Sequence, residues 1–233
     1  MMLFGGFLKN SFIDYPGKIS SVVFTYGCNL KCPYCHNPDL IRYKPESSLE
    51  VSEYSVLSFL EQRKGLIDGV VITGGEPTLQ SELAYFAKKV KLLGYSVKMD
   101  TNGTRPDILA NLIEAGLVDY VAMDIKTLPK SYVPLLSAHD YSEEILKSIS
   151  VLKKGRIPYE FRTTCAKPFI SEEIAKEIAR LVKGAPVYAV QKLSKKSGLD
   201  QNYMKDTANE MDNEEFDRMA SIIAPHVAKL IKR

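Results

Sequence analysis

The sequence is poor in several residue types, and each shortage excludes a class of protein. Its 233 residues include no tryptophan, three histidines and four cysteines, too few cysteines for the disulfide framework of a small secreted domain. The formal net charge is only +3, with basic and acidic residues interspersed, so no basic surface for nucleic acid stands out. No apolar run approaches the roughly 18 residues that a membrane-spanning helix needs. We therefore expect a cytoplasmic protein that binds neither nucleic acid nor membrane.

The few cysteines are concentrated in one place. Cys28, Cys32 and Cys35 occur in the run YGCNLKCPYCHNPD, and Cys165 is far away. Three thiolates on one tight loop can hold three irons of a cubane [4Fe–4S] cluster and leave the fourth iron open to a substrate. Structural zinc is the alternative, but it needs four ligands. His36 directly follows Cys35, and adjacent side chains rarely converge on one small ion.

Short apolar runs alternate with amphipathic helical patterns from Ser20 onward, which predicts βα units and a parallel sheet. Six units are too few to close an eight-stranded barrel, so we expect an open (β/α)6 partial TIM barrel. A single domain, residues 1–233, would comprise an N-terminal extension (1–19), the barrel (20–191) and a C-terminal loop and closing helix (192–233). The six strands are predicted at Ser20–Thr25, Gly69–Thr73, Ser96–Asp100, Tyr120–Ile125, Tyr159–Thr164 and Val187–Gln191.

Helices are predicted between the strands. In one of them, over Ser81–Leu93, the apolar side chains fall on a single helical face. Ser142 and Ser171 are each followed by two glutamates, which makes them candidates for helix N-caps. The closing helix is expected over Asp212–Lys232, with a bend near Pro225.

Small and charged residues follow three of the predicted strands. The segments are Gly74–Pro77, Asp100–Gly103 and Asp124–Lys126. Parallel α/β barrels build their active sites from the loops at this end of the strands, so these segments are candidate site residues. Gly74 and Gly75 lack a Cβ atom, so the backbone there can approach a ligand closely. A plain strand-to-helix turn is the alternative.

Charged side chains at the strand ends carry further implications. Asp100 and Asp124 end neighbouring strands, where two carboxylates repel unless a cation or a shared proton lies between them. A cation is the favoured reading, and capping of the following loops is the alternative. Lys126 and Arg162 would be costly to bury without a partner, which an anionic ligand would provide. Cys165, on the fifth strand, is most simply a buried small hydrophobe.

The C-x3-C-x2-C pattern with an aromatic residue before the third cysteine, together with the GGEP, DTNG and D-x-K segments, resembles the radical S-adenosylmethionine (SAM) superfamily. The resemblance implies the same partial barrel, and an open iron chelated by the amino and carboxylate groups of SAM, whose reductive cleavage yields a 5′-deoxyadenosyl radical. It also implies residue roles. These are cluster ligation by Cys28, Cys32 and Cys35, which with Lys126 form the catalytic set; SAM contacts by Tyr34, His36, Gly74, Gly75, Glu76, Asn102, Lys126, Arg162 and Gln191; and a monovalent cation at Asp100, Thr101 and Asp124.

Within that superfamily, the run SFIDYPGKISSVVFTYGCNLKC and the CHNPD segment resemble the glycyl-radical-enzyme activating proteins. The likeness is greatest to activators of anaerobic ribonucleotide reductase and of pyruvate formate-lyase. It implies removal of a glycine Cα hydrogen from a large partner enzyme, with flavodoxin or ferredoxin as electron donor. It also implies that Asp14 lies close to the substrate peptide. A departure is Tyr15, where many pyruvate formate-lyase activators carry glycine.

Two other functions stay open at this point. No second set of clustered cysteines is present, so an enzyme with a single cluster is expected. One alternative is a small-molecule radical SAM enzyme such as a 7-carboxy-7-deazaguanine synthase. The other, from a different class, is an iron–sulfur electron-transfer protein.

Overall fold

The computed structural model describes residues 1–41, 51–194 and 198–233. Within these residues the chain forms two compact units, each built from discontinuous segments. Residues 195–197, which belong to the predicted C-terminal loop, lie outside the described residues. The first unit comprises Met1–Asn29, Asp39–Thr101 and Asp107–Val121, and the second comprises Leu30–Pro38, Asn102–Pro106 and Ala122–Arg233.

Nine strands lie in the described part of the chain, and all six predicted strands are among them, with bounds that differ by no more than one residue. The strands are β1 (Leu3–Ser11), β2 (Ser20–Thr25), β3 (Val51–Ser52), β4 (Gly69–Gly74), β5 (Ser96–Thr101), β6 (Tyr120–Asp124), β7 (Tyr159–Cys165), β8 (Tyr188–Lys192) and β9 (Leu230–Lys232).

Eight α-helices are found over the same residues, together with several short 3-10 helices. They are α1 (Glu53–Gln62), α2 (Leu83–Leu92), α3 (Pro106–Glu114), α4 (Tyr132–Leu135), α5 (Ser142–Lys153), α6 (Glu172–Leu181), α7 (Gln201–Lys205) and α8 (Asn213–Ile223). None of the helices in the described residues is long and apolar enough to cross a membrane.

The first unit contains strands in the order β3-β1-β2-β4-β5. Strands β2, β4 and β5 run parallel, with Ser20 opposite Gly69 and Gly69 opposite Ser96. Their apolar runs are almost wholly buried, as expected for parallel strands covered on both faces. Strand β1 is antiparallel to β2 and forms a hairpin with it. The carboxyl ends of β2, β4 and β5 therefore lie at one edge of this unit.

The second unit contains the end of β6 followed by β7, β8 and β9 in spatial order. Strands β7, β8 and β9 are parallel, with Phe161 opposite Tyr188 and Tyr188 opposite Leu230. A two-pronged ion pair joins Arg233 to the buried Glu160, with both nitrogen–oxygen distances at 3.0 Å. This pair fixes the chain directly after β9.

The strands β1, β3 and β9 were not predicted, and the bounds predicted for the closing helix are wrong. The N-terminal extension contains β1, whose sequence LFGGFLKNS mixes glycine with polar and apolar residues. Helix α8 ends at Ile223, a 3-10 turn follows over Ala224–His226, and the last residues form β9. Pro225 explains the stop, because proline lacks a backbone N–H and its ring clashes with the preceding helical turn.

Of the two predicted N-caps, one is confirmed and one is wrong. The Ser171 hydroxyl accepts a hydrogen bond from the Ile174 backbone N–H at 3.3 Å, as an N-cap should. Ser142 is instead the first residue of α5, and its own backbone N–H donates to the Asp140 carboxylate at 2.9 Å. The N-cap position is occupied by Tyr141, whose side chain makes no capping bond.

Candidate active site

In the first unit, the predicted site segments follow the carboxyl ends of three parallel strands. Gly27 and Cys28 come after β2. Gly74 ends β4 and is followed by Gly75 and Glu76, and Thr101 ends β5. The Gly75 N–H donates to the Thr25 carbonyl at 2.9 Å, and the Glu76 N–H donates to the Gly27 carbonyl at 2.7 Å. The GGEP segment is therefore bonded directly to the backbone that leads into Cys28.

The two glycines of this segment are required by close backbone packing. Gly74 has φ +116°, and a Cβ atom there would lie 2.3 Å from the Thr25 nitrogen. A Cβ atom on Gly75 would lie 2.0 Å from the Gly27 carbonyl oxygen. Both approaches are too short for any side chain, so each position needs glycine. The close neighbours are the backbone atoms of Thr25 and Gly27, and approach of this segment to a ligand stays a prediction.

Glu76 anchors the GGEP segment through buried hydrogen bonds. Its side chain is 1% exposed. One oxygen, Oε1, accepts hydrogen bonds from the Thr78 N–H at 3.1 Å, the Thr78 hydroxyl at 2.6 Å and the Thr101 hydroxyl at 2.8 Å. A buried carboxylate that accepts several hydrogen bonds is a stable anchor. Glu76 thus ties the loop after β4 to the end of β5.

Lys98 is a residue that the sequence reasoning did not single out. It lies inside β5, its side chain is 2% exposed, and its ammonium group donates a hydrogen bond to the Asp100 carboxylate. The signal that could have found it is a lone lysine in a buried strand, two positions before an aspartate. Side chains at i and i+2 of a strand point to the same face. Asp100 therefore has a cation partner within its own strand.

Asp14 lies at the other end of these strands. Its hairpin loop follows Ser11, which pairs with Ser20, the first residue of β2. The six residues of β2 separate this end from the cysteine end, a distance of roughly 20 Å. The Asp14 carboxylate accepts a hydrogen bond from the Ser11 hydroxyl, so it stabilises the turn. Contact between Asp14 and a substrate stays a prediction.

In the second unit, the cysteine loop forms a tight turn. The Cys35 N–H donates to the Cys32 carbonyl at 3.0 Å, Cys32 is buried and Cys35 is half-buried. Between them, Tyr34 is 3% exposed. Its ring packs edge-on against Phe169 at 5.2 Å and against Tyr203 at 6.3 Å. The ring is occupied by these aromatic contacts, so the predicted contact of Tyr34 with SAM would fall to its backbone.

Three charged side chains meet beside β6 and β7: Asp124 ends β6, Lys126 follows it, and Arg162 lies in the middle of β7. Arg162 Nε lies 2.7 Å from one oxygen of Asp124, and Lys126 Nζ lies 3.1 Å from the other. One carboxylate thus faces two basic groups. Basic groups held in one place favour binding of an anion. The sequence predicted an anionic ligand for Lys126 and Arg162, and the structure brings both residues together.

The pKa values of Asp124 and Lys126 shift in the directions expected for oppositely charged partners. Burial raises the pKa of Asp124, but Arg162 and Lys126 outweigh burial and hold it well below its ordinary value. Burial lowers the pKa of Lys126, while Asp124 and then Cys32 raise it well above its ordinary value. The Lys126 backbone N–H also donates to the Tyr132 hydroxyl at 2.9 Å. Lys126 is therefore a fixed cation close to Cys32.

Other predicted residues of the second unit have structural partners. The Asn102 side-chain oxygen accepts from the Thr104 N–H at 3.0 Å, which closes the turn after β5. Burial raises the pKa of Cys165 to about 12, despite a backbone hydrogen bond from Gln191. Cys165 is thus the buried small side chain that the sequence predicts. His36 is exposed, and partial loss of solvent, followed by the charge of Lys126, lowers its pKa.

The three residues predicted to hold a monovalent cation each have protein partners. Asp100 binds Lys98, Thr101 donates to Glu76, and Asp124 binds Arg162 and Lys126. Within residues 1–41, 51–194 and 198–233, no group of three His, Cys, Asp or Glu side chains is placed to hold one metal ion. Each of these side chains therefore has a protein partner, and the monovalent cation stays a prediction.

The residues present fit a cubane cluster with bound SAM. Thiolate sulfurs are the donors that iron–sulfur clusters take, and Cys28 and Cys35 are both partly accessible. The positive charge beside Cys32 suits the carboxylate of SAM.

Known proteins are similar to this chain in sequence or in fold. A protein of Methanocaldococcus jannaschii, provisionally named a glycyl-radical enzyme activating enzyme, is 39% identical over 209 residues, covering 87% of this chain and 85% of that protein. A 7-carboxy-7-deazaguanine synthase of Aquifex aeolicus is 38% identical over 88 residues, which is 38% of each chain. The crystal structure of QueE from Escherichia coli, 16% identical, matches with a TM-score of 0.57 over 100% of this chain and 93% of QueE.

These likenesses confirm the fold class predicted from the sequence, an open partial barrel of parallel strands. The family model for the radical SAM superfamily matches residues 22–183. The match includes the three clustered cysteines and the GGEP, DTNG and D-x-K segments, and it spans more than half of the chain. This chain therefore belongs to the radical SAM superfamily.

Proposed function

We propose that this radical SAM enzyme activates a glycyl radical enzyme by removing a hydrogen atom from a glycine Cα, with anaerobic ribonucleotide reductase as the partner. The observation that carries the proposal is the 39% identity to the archaeal activating enzyme across 87% of the chain. The single three-cysteine cluster motif supports it, because Cys165 is the one further cysteine in the sequence and an auxiliary cluster needs several.

Superfamily membership defines the cofactors, a [4Fe–4S] cluster and SAM. When bound, they supply a carbon-centred radical that can take a hydrogen atom. Cys28, Cys32 and Cys35 would hold the cluster, one thiolate to each of three irons. Lys126 and Arg162 would bind the carboxylate of SAM through charge-assisted hydrogen bonds.

The loops on the other strands would orient SAM. Main-chain atoms of Gly74 and Gly75 would contact the amino group of SAM, and Glu76 would keep that backbone in place. His36 and Gln191 would contribute weaker contacts. Orientation of this kind lowers the barrier because the reacting atoms are held in a near-attack geometry.

The proposed reaction also requires an electron donor. Flavodoxin or ferredoxin would deliver the electron, and a cytoplasmic location would keep the thiolates reduced. Superfamily membership establishes an enzyme, so the electron-transfer alternative is set aside.

The test is direct observation of the product radical. Reduced, cluster-loaded protein and SAM are incubated with anaerobic ribonucleotide reductase from the same organism, and a stable doublet EPR signal of a glycyl radical is expected in the reductase. Protein with Cys32→Ala serves as the control and should give no signal. Abundant 5′-deoxyadenosine without any glycyl radical, in this reductase or in a formate-lyase-like enzyme, would contradict the proposal.

A second candidate is a small-molecule radical SAM enzyme. It is favoured by the 38% identity to the deazaguanine synthase over 88 residues. The two candidate functions differ in which substrate should increase the rate of SAM cleavage. A purine-like metabolite should accelerate cleavage in the second case, and only the protein partner should do so in the first.

A further inference from the structure

Lys98 occupies an unusual position for a charged residue. It pairs with Val71 across the parallel strands β4 and β5, and Val71 in turn pairs with Val22 of β2. Paired residues in a sheet point to the same face, and Val22, Val71 and Tyr15 form a buried apolar cluster. Lys98 is itself 2% exposed. Its stem thus lies on an apolar face of the first unit.

The ammonium group of Lys98 reaches toward the cysteine end of the strands. Its hydrogen-bond acceptor, Asp100, is two residues further along β5 on the same face. Burial of a lysine costs several kcal/mol unless a partner compensates its charge. A methionine or leucine would fill the same volume without that cost, and buried ion pairs replaced in this way are often no less stable. Packing therefore gives no reason for a lysine here.

We propose that Lys98 is the resident cation of the SAM site, and that its ammonium group replaces, at Asp100, the monovalent metal ion that the sequence resemblance implies. The positive charge is then covalently attached and always present. SAM binding would be independent of the identity of the monovalent cation in solution.

The partners of the other expected cation ligands agree with this proposal. The Thr101 hydroxyl donates to Glu76 at 2.8 Å, and Asp124 already binds Arg162 and Lys126. A metal ion at Asp100 and Thr101 would have to displace the Lys98 ammonium and the bond from Thr101 to Glu76. The proposal rests on SAM binding and not on the identity of the substrate, so it stands or falls separately from the proposed activation of a glycyl radical enzyme.

The wild-type protein provides the first test. The dissociation constant of SAM is measured by equilibrium dialysis with the cluster-loaded protein in sodium, potassium and choline chloride at equal ionic strength, so that screening is constant. Equal affinities in all three salts are expected. A clear loss of affinity in choline, which is too large for a metal site, would overturn the proposal without any variant.

The substitution Lys98→Met provides the second test. SAM affinity in choline should fall about tenfold or more, because the Asp100 carboxylate loses its buried cation. Added sodium, potassium or ammonium ions should restore part of the affinity, since a small cation can enter the vacated position. Affinity that is unchanged, or that is lost but not restored by any small cation, would overturn the proposal.

A matched control separates this effect from the loss of any lysine–carboxylate pair. Lys89 binds Glu53, whose side chain is 2% exposed, in the same unit. Lys89→Met should lower the thermal midpoint but leave SAM affinity equal in all three salts. If Lys98→Met does not fold, the conservative variant Lys98→Arg keeps the charge and should retain cation-independent binding. Cation-dependent binding in Lys98→Arg would contradict the proposal.

Discussion

Asp124 shows at the scale of one residue how charge is balanced in the second unit. Its carboxylate holds Arg162 at 2.7 Å and Lys126 at 3.1 Å. Asp124→Asn should lower stability by about 1–3 kcal/mol, because two half-buried cations lose their counter-charge. Urea unfolding measures the change. Asp217→Asn is the control, because Asp217 forms an exposed pair with Lys232 and should change stability little.

The same residue predicts a pH dependence. Because the pKa of Asp124 lies below its ordinary value of 3.8 in the folded protein, its stabilising contribution is complete above that ordinary value. The contribution is lost as the pH falls through the lower value of the folded state. The stability difference between wild type and Asp124→Asn should be constant above about pH 5 and shrink in strong acid. A difference that grows on acidification would contradict this assignment.

Replacement of a clustered cysteine and replacement of Cys165 should have different effects on the cluster. Anaerobically reconstituted protein should contain about four irons and four sulfides, and Cys28→Ala, Cys32→Ala or Cys35→Ala should abolish them. Cys165→Ala should keep the cluster, because burial raises its pKa to about 12 and disfavours the thiolate. Iron and sulfide analysis decides the point. Loss of the cluster on replacement of Cys165 alone would show that the ligands are misassigned.

At the scale of elements, the strand-end glycines couple the GGEP loop to the cysteine loop. Gly74→Ala should cost more than the roughly 1–2 kcal/mol expected for a left-handed backbone alone, because the new Cβ would lie 2.3 Å from the Thr25 nitrogen. Iron content should fall as well, since the strained backbone leads into Cys28. Gly94→Ala is the matched control, with φ +92° and open space around the new Cβ. Equal effects of the two substitutions in urea unfolding would remove the close-approach argument.

Strand β9 depends on the ion pair that follows it. Arg233→Leu should lower stability by about 3 kcal/mol, because it leaves the 1% exposed Glu160 side chain without its fork-like partner. The double variant Glu160→Leu/Arg233→Leu should recover part of this loss, since no buried charge remains. Thermal or urea unfolding of the three proteins is the measurement. A double variant less stable than Arg233→Leu would argue against an ionic role.

The sequence could predict the parallel strands but not their antiparallel or terminal neighbours. The six runs from Ser20 onward are continuous and apolar, which is the pattern of strands buried on both faces. Strand β1 carries two glycines, and β3 is only two residues long, so neither has a readable period. The residues of β9 continue the helical spacing of α8, and only Pro225 could have indicated the break.

At the scale of the whole molecule, local motifs predicted candidate site residues, whereas the tertiary fold determines which charged side chains contact one another. Lys126 and Arg162 are 36 positions apart in sequence numbering, yet both bind Asp124, which no local pattern reveals. Asp14 lies in the loop of the β1–β2 hairpin, at the amino end of β2, a position that its short motif does not reveal. The partner of a charged side chain usually depends on the tertiary fold. Lys98 is an exception, because it and Asp100 lie two positions apart in one buried strand.

The cysteine loop also has a consequence for protein synthesis. Residues near Cys32 and Cys35 are held by residues made much later, with the Lys31 N–H bonded to the Leu136 carbonyl and the Asp200 N–H bonded to the Pro33 carbonyl. A chain leaves the ribosome from its N-terminus at about 5–20 residues per second. The thiolates therefore emerge many seconds before their supports, and during that interval they are exposed to oxidants. We expect iron–sulfur assembly factors to act on the released, fully synthesised chain, so that nascent chains stalled before residue 200 carry no stable iron.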